Sequence, residues 1–388
     1  MFINPLMSQH FFGQPYLDGL LLIRQNLGWF SFFMFIVFIK DNEDVEKTIT
    51  LLTLLVGFWV VLLLVTKWFP QLGVIQIDPQ YYIKNPGMIR FGEKRLFFPY
   101  GSIPIFIYCI SLARFLHAPR GERWTQKVLP VSFFLVAGYA VLSTYTRALS
   151  FSLVVLTTYA LLNCRRRILK YTAVGITVLV VSLQALILVS GADIPFLQET
   201  KLGKLILQSS DLPRETGRKF EALMCVTHFL KSPITGVGTL RNLKDTDEII
   251  GVTRTYRKYG YFSGADIGFL KIAAEYGLLG ISWVAWFFSY SYRKSKRTLA
   301  MALKKGDTPI IEAVARGQVY FLIYLFVSGF TIAHFILPSG LHILALSLAL
   351  MAITRVSMES KARLAVTPKT IHHENAMQAG GKLYGGIV

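Results

Sequence analysis

Long apolar runs separated by short polar connections organise this chain. Thr48 to Thr66, Val128 to Tyr145 and Tyr171 to Ser190 carry no charge, and at 1.5 Å rise per residue such runs approach the roughly 30 Å hydrocarbon thickness of a bilayer. The pattern predicts spans over 17–39, 48–69, 99–116, 128–145, 147–163, 171–190, 266–290, 315–336 and 341–354. The expected class is an all-α polytopic membrane protein with about nine or more transmembrane helices and a large, partly helical, outward-facing loop. Residues 1–190 hold six spans, 191–265 form the loop, 266–354 hold three more spans and 355–388 form a tail. The first apolar run continues into membrane-like sequence without a small-residue cleavage site and is taken as a retained span.

Charge sets the orientation. The 388 residues are 53% hydrophobic and only 16% charged, with a net charge of +19, which excludes an ordinary soluble domain. Short connections around Arg114–Lys127, Arg165–Lys170 and Arg293–Lys305 are basic and should be cytoplasmic. The opposite set, with the 191–265 loop, then faces outward, the tail is cytoplasmic and the amino terminus lies outside. Residues 1–16 therefore either fold back as an interfacial element or belong to an incomplete start. The loop is itself basic, with eleven Lys or Arg against eight Asp or Glu. Long segments translocate largely regardless of charge, so this excess asks for an anionic partner. Three cysteines form no evident outward pair, and no repeat or matched interrupted spans point to a transporter.

Within the loop, Ser210-Asp-Leu-Pro-Arg-Glu reads as a helix start, and Phe220, Leu223, Met224, Thr227 and Leu230 recur at helical spacing until Pro233. This amphipathic helix suits either the headgroup boundary or a packed surface of the membrane domain. Arg214 and Arg218, four apart, project from one face, and a guanidinium presents a planar, permanently charged fork to phosphate oxygens. Their alternative role is as exposed charges paired with Glu215 and Glu221. Pro233-Ile-Thr-Gly-Val-Gly238 follows, where Gly236 and Gly238 allow a tight turn or a backbone phosphate cradle. Arg241 stands just beyond. Arg147, between two spans with almost no link, would be costly unless it met a polar cavity or an anion. Asp266 sits where the chain returns to the membrane, placed either as a helix cap or for proton transfer. Lys271 and Glu275 read as an internal pair, and His334 and His342 flank a short turn on the same side. Asp245, Asp247 and Glu248 read as a solvated charge run, so no metal or other cofactor is expected.

The arginine after a tight span pair, Arg218-x-x-x-Ala-Leu, His228-Phe-Leu-Lys-Ser-Pro-Ile-Thr-Gly-Val-Gly238, and the small-residue run into Phe269-Leu-x-x-x-x-Glu-x-Gly-Leu-Leu-Gly280 together resemble the O-antigen ligase and O-antigen polymerase superfamily of bacterial envelopes. The resemblance is most specific over Arg218 to Gly280. It implies glycosyl transfer without metal or nucleotide, using glycans on undecaprenyl pyrophosphate as donor and acceptor at the outer face of the inner membrane. It further implies Arg147 and Arg218 on the pyrophosphate and the acceptor at the loop-to-helix junction. Beside these, Arg214, Gly236, Gly238, Arg241 and His334 are the residues expected to contact substrate. Membrane lipids, a chain-length regulator and a flippase are the other expected partners, and nucleic acid is not. Ligases of this superfamily carry a histidine followed by asparagine where this chain has Asp266-Ile267. That departure favours the polymerase branch and gives Asp266 the role of the base. A ligase acting on lipid A core or protein, and a transporter without chemistry, are the rival readings.

Overall fold

The computed structural model describes residues 3–69, 89–90, 93–94, 102–117, 131–139, 147–164, 171, 175, 212–239, 268–305, 308–330 and 340–360. Among these the protein is helical apart from one two-residue antiparallel pair, in which Ile89 faces Lys94 and Arg90 faces Glu93. In chain order the helices are α1 (Ile3–Phe12), α2 (Tyr16–Ile23), α3 (Ser31–Phe38), α4 (Asn42–Trp68), α5 (Ser102–His117), α6 (131–139), α7 (Arg147–Leu162), α8 (Leu212–Lys231), α9 (Gly268–Lys305), α10 (Pro309–Ser328) and α11 (Gly340–Ser360). A 3-10 stretch, Arg24–Phe30, joins α2 to α3.

Among the described residues four helices are long and apolar enough to cross a membrane: α4, α9, α10 and α11. The expected count of nine spans is not confirmed among the described residues. The 17–39 run is broken into α2, the 3-10 stretch and α3, and α5 and α7 are shorter apolar helices. Residues 176–190, most of the sixth expected span, lie outside the described residues.

Local chemistry explains the ends. Asp41 caps α4 by accepting the Asp44 amide at 2.9 Å, with Glu43 and Asp44 in the first turn where the helix dipole favours negative charge. Pro309 opens α10 at the position where a missing N–H costs nothing. One turn further, Arg316 closes on Glu312 at 2.8 Å.

The core gathers on α10, which packs against α5, α7 and α9. A Cβ at Gly317 would stand 2.7 Å from Ile110, so α5 and α10 cross at close range, as small residues allow in membrane bundles. Phe106 and Phe321 meet edge to face at 5.1 Å. Polar links cross the apolar interior, among them Gln318 to Ser347 at 3.3 Å and Tyr108 to Thr157 at 2.7 Å. All three cysteines are buried and free. Leu51, Leu54, Leu55, Phe58 and Val61 of α4 point outward, an apolar surface that water would not tolerate and lipid chains would cover.

Two contacts order the ends of the bundle. The start of α4 meets the start of α10 through Glu46 and Thr308, and His342, at the start of α11, meets Ser31 at 3.3 Å.

Candidate functional site

The site is built around an interruption in α9. Gly277 adopts φ 62° and ψ −155° and divides the helix. In an unbroken helix the Leu278 and Leu279 amides would bond the carbonyls of Ala274 and Glu275. Here the chain after α8 stands between them. Leu278 N–H donates instead to Pro233 O at 2.7 Å and Leu279 N–H to Ile234 O at 3.1 Å, while Val237 N–H donates to Ala274 O at 2.9 Å and Gly238 N–H to Glu275 O at 3.1 Å. Both halves of the broken helix thus satisfy their backbone groups on one loop, as buried polar groups must.

Why this loop fits follows from its residues. Pro233 cannot continue α8, and the Gly236 amide turns back onto Ser232 O at 2.9 Å. Gly236 and Gly238 have φ of 70° and 87°, a region in which glycine alone is unstrained. A Cβ at Gly236 would fall on the Glu275 carbonyl carbon, and one at Gly238 on the backbone of Asn4 and Ser8.

Thr239, the last described loop residue, is held at all three of its polar groups. Its amide donates to Asn4 Oδ1 at 3.0 Å, its carbonyl accepts from Gln14 Nε2 at 3.1 Å, and its hydroxyl donates to Glu275 Oε2 at 3.2 Å. Asn4 Nδ2 donates in turn to Glu275 O at 3.0 Å, and Lys271 Nζ lies 3.7 Å from Glu275 Oε1, the internal pair expected from their spacing. The amino-terminal helices therefore fold back onto the end of the bundle that carries the loop. Removing Asn4 leaves the partly buried Thr239 amide without this partner, at a cost near the lower end of the roughly 1–3 kcal/mol of an orphaned buried donor. Asn4→Ala should accordingly lower the unfolding temperature of the detergent-solubilised protein, whereas Gln9→Ala, at an exposed position of the same helix, should not. Equal melting of the two variants would show that the contact carries no weight.

The other end of the loop is fixed as well. Phe269 N–H donates to Gly329 O at 2.8 Å, and Gly268, with φ 45°, lies so close to Gly329 that no side chain fits. One turn before Ser232 at the end of α8, His228 is buried against Phe12, ring centroids 5.6 Å apart. Desolvation, reinforced by Lys231, lowers its pKa.

Of the residues expected to act, Arg147 opens α7, and Arg214 and Arg218 stand one turn apart in α8. Their side chains lie outside the described residues, as do Asp266, Arg241 and His334 together with the Asp245, Asp247 and Glu248 run. In sequence, Arg241 follows Thr239 by two positions and Asp266 precedes Gly268 by two, so each adjoins a fixed joint. The amides of Gly236 and Gly238 are committed within the protein. Asn4 and Gln14 had no signal in the sequence beyond their polarity near the amino terminus, and Thr239 none beyond its place after Gly238.

Residues 132–285 match the O-antigen ligase family. The matched segment takes in α7, α8, the loop and the break in α9, and it bears out the resemblance to the O-antigen ligase and polymerase superfamily. No curated protein matches the chain.

Proposed function

We propose that this protein is a glycosyltransferase that polymerises undecaprenyl-pyrophosphate-linked repeat units into O-antigen or a related surface polysaccharide, without a metal, at the outer face of a bacterial inner membrane. Similarity to the O-antigen ligase family supports transfer of this general type within a multi-pass membrane protein. The observation that carries the reading is that one matched segment contains Arg147, Arg218 and Asp266 together with the loop residues 233–238 and the break in α9 that they bridge. Residues 191–265 then face the periplasm and 355–388 the cytoplasm. A chain-length regulator and a flippase are the natural partners.

In the reaction, the bond between the anomeric carbon of the donor and its phosphate oxygen breaks, and a hydroxyl of the acceptor repeat unit forms the new glycosidic bond. Asp266 takes the hydroxyl proton. Negative charge grows on the leaving pyrophosphate, where Arg147 and Arg218 stabilise it in a partly dehydrated site. Arg214, Arg241 and His334 contact the flanking phosphate and sugar groups. Gly236 and Gly238 serve by letting the loop close onto α9 rather than by binding phosphate with their amides.

The second reading is a ligase, favoured by the description of the matching family. Purified protein supplied separately with lipid-linked repeat units and with lipid A core plus lipid-linked glycan distinguishes the two. A polymerase yields a ladder of lengthened lipid-linked products from the first mixture; a single transfer onto lipid A core from the second, with no ladder, would make the protein a ligase.

A further inference from the structure

Helix α8 is apolar on the wrong side for a segment in water. Its inward face carries the small or polar residues Cys225, His228 and Ser232, all buried. Its outward face carries Leu223, 62% exposed, and Leu230, 70% exposed, and the turn beyond adds Ile234 at 63%. A water-soluble amphipathic helix does the reverse, burying its large apolar side chains and exposing polar ones.

The stripe does not end at the helix. The hydrogen bonds from Leu278 and Leu279 to Pro233 and Ile234 set it beside Leu278 and Leu279, 51% and 55% exposed. Trp286, also outward, continues it along α9, one of the helices able to cross a membrane. The surface of α8 and that of the span are one apolar surface.

We infer that α8 lies in the membrane interface on the loop side of the protein, with the stripe Leu223, Leu230 and Ile234 immersed among the lipid acyl chains. Leu223 to Leu230 covers about 10 Å along the axis, far less than the roughly 30 Å of a hydrocarbon core, so the helix lies in the boundary rather than spanning it. The polar residues on the exposed side agree. Thr227 satisfies its hydroxyl internally, donating to Leu223 O at 2.9 Å, as such side chains do away from water. Lys231, at the end of α8, has a four-carbon stem that lets its ammonium reach the headgroup phosphates. In the loop after α8 the amides of Gly236, Val237 and Gly238 bond within the protein, as irregular backbone beside lipid requires. This placement does not depend on the reaction proposed above.

The test uses the whole protein in bilayers of phosphatidylethanolamine and phosphatidylglycerol. Because the native cysteines are buried, a nitroxide reacts selectively at Leu223→Cys, Leu230→Cys or Ile234→Cys, and replacing an exposed side chain leaves the fold intact. Collision with oxygen, which concentrates in lipid, is compared with collision with a water-soluble nickel chelate. The oxygen-to-nickel ratio at the three sites should match that of Trp286→Cys and exceed that of the water-exposed Glu43→Cys several-fold. Ratios equal to the Glu43 control would place the stripe in water and overturn the inference. Labels shielded from both reagents would overturn it too, by showing a second copy or another protein on the stripe.

Discussion

Arg218→Ala and Arg147→Ala should each reduce chain growth by at least two orders of magnitude while leaving the amount of folded protein in the membrane unchanged. The magnitude follows from what a preorganised donor contributes at a developing oxyanion, about a hundredfold to a thousandfold per group removed. A guanidinium on a departing pyrophosphate acts where charge grows, so its loss should appear in turnover more than in substrate affinity. Arg→Lys at either position keeps the charge and loses the bidentate fork, and should recover only part of the rate. Asp266→Asn, which removes the proposed base while keeping the side chain's size, should fail in the same assay. Product lengths resolved on gels for the five variants check this, and wild-type lengths from both alanine variants would remove the arginines from the chemistry.

Gly277→Ala should destabilise the protein strongly. The φ and ψ of this residue, 62° and −155°, lie in a region essentially confined to glycine, where strain for another residue is about 1–3 kcal/mol. Crowding adds to the strain, because a Cβ there would stand 2.5 Å from the Ile234 carbonyl and 2.6 Å from the Gly236 amide. Both neighbours are backbone and cannot swing away. The expected loss, about 3 kcal/mol or more, is a large share of the roughly 5–15 kcal/mol that holds a typical domain. Gly13 gives the control, since its φ is 68° and nothing stands within 4 Å of an added Cβ. Gly13→Ala therefore reports strain alone and should melt between the wild type and Gly277→Ala. If Gly277→Ala melts with the wild type, the loop does not depend on the break.

How much of this was legible in the sequence depends on the range of the interaction. Apolar runs and local capping located α4, α10 and α11 and the loop helix, whose observed end at Lys231 falls just before Pro233 as the proline requires. Boundaries shifted where a helix outlasts its apolar run. Helix α9 continues to Lys305 because Ser291, Ser295, Thr298 and Ala302 stay buried at helical spacing while the lysines and arginines beside them reach outward. The break at Gly277 was invisible, because a single glycine is compatible with a continuous helix until another segment replaces the lost hydrogen bonds. The grip of Asn4 on Thr239 was equally hidden, since it joins positions 235 residues apart through side chains with no local consequence. The stripe of α8 was read correctly as a periodicity, but periodicity does not say which face turns inward. Cys225 and His228 against Ala274 and Phe12 settle that.

In the proposed reaction each new sugar linkage releases one polyprenyl pyrophosphate. Purified protein in bilayers, given lipid-linked repeat units in the presence of a metal chelator, allows both quantities to be counted in the same reaction. Equal amounts of freed lipid pyrophosphate and new glycosidic bonds, with products lengthening over time, are the predicted result. Absence of both from a folded protein, or lipid pyrophosphate released without any lengthening, would contradict it.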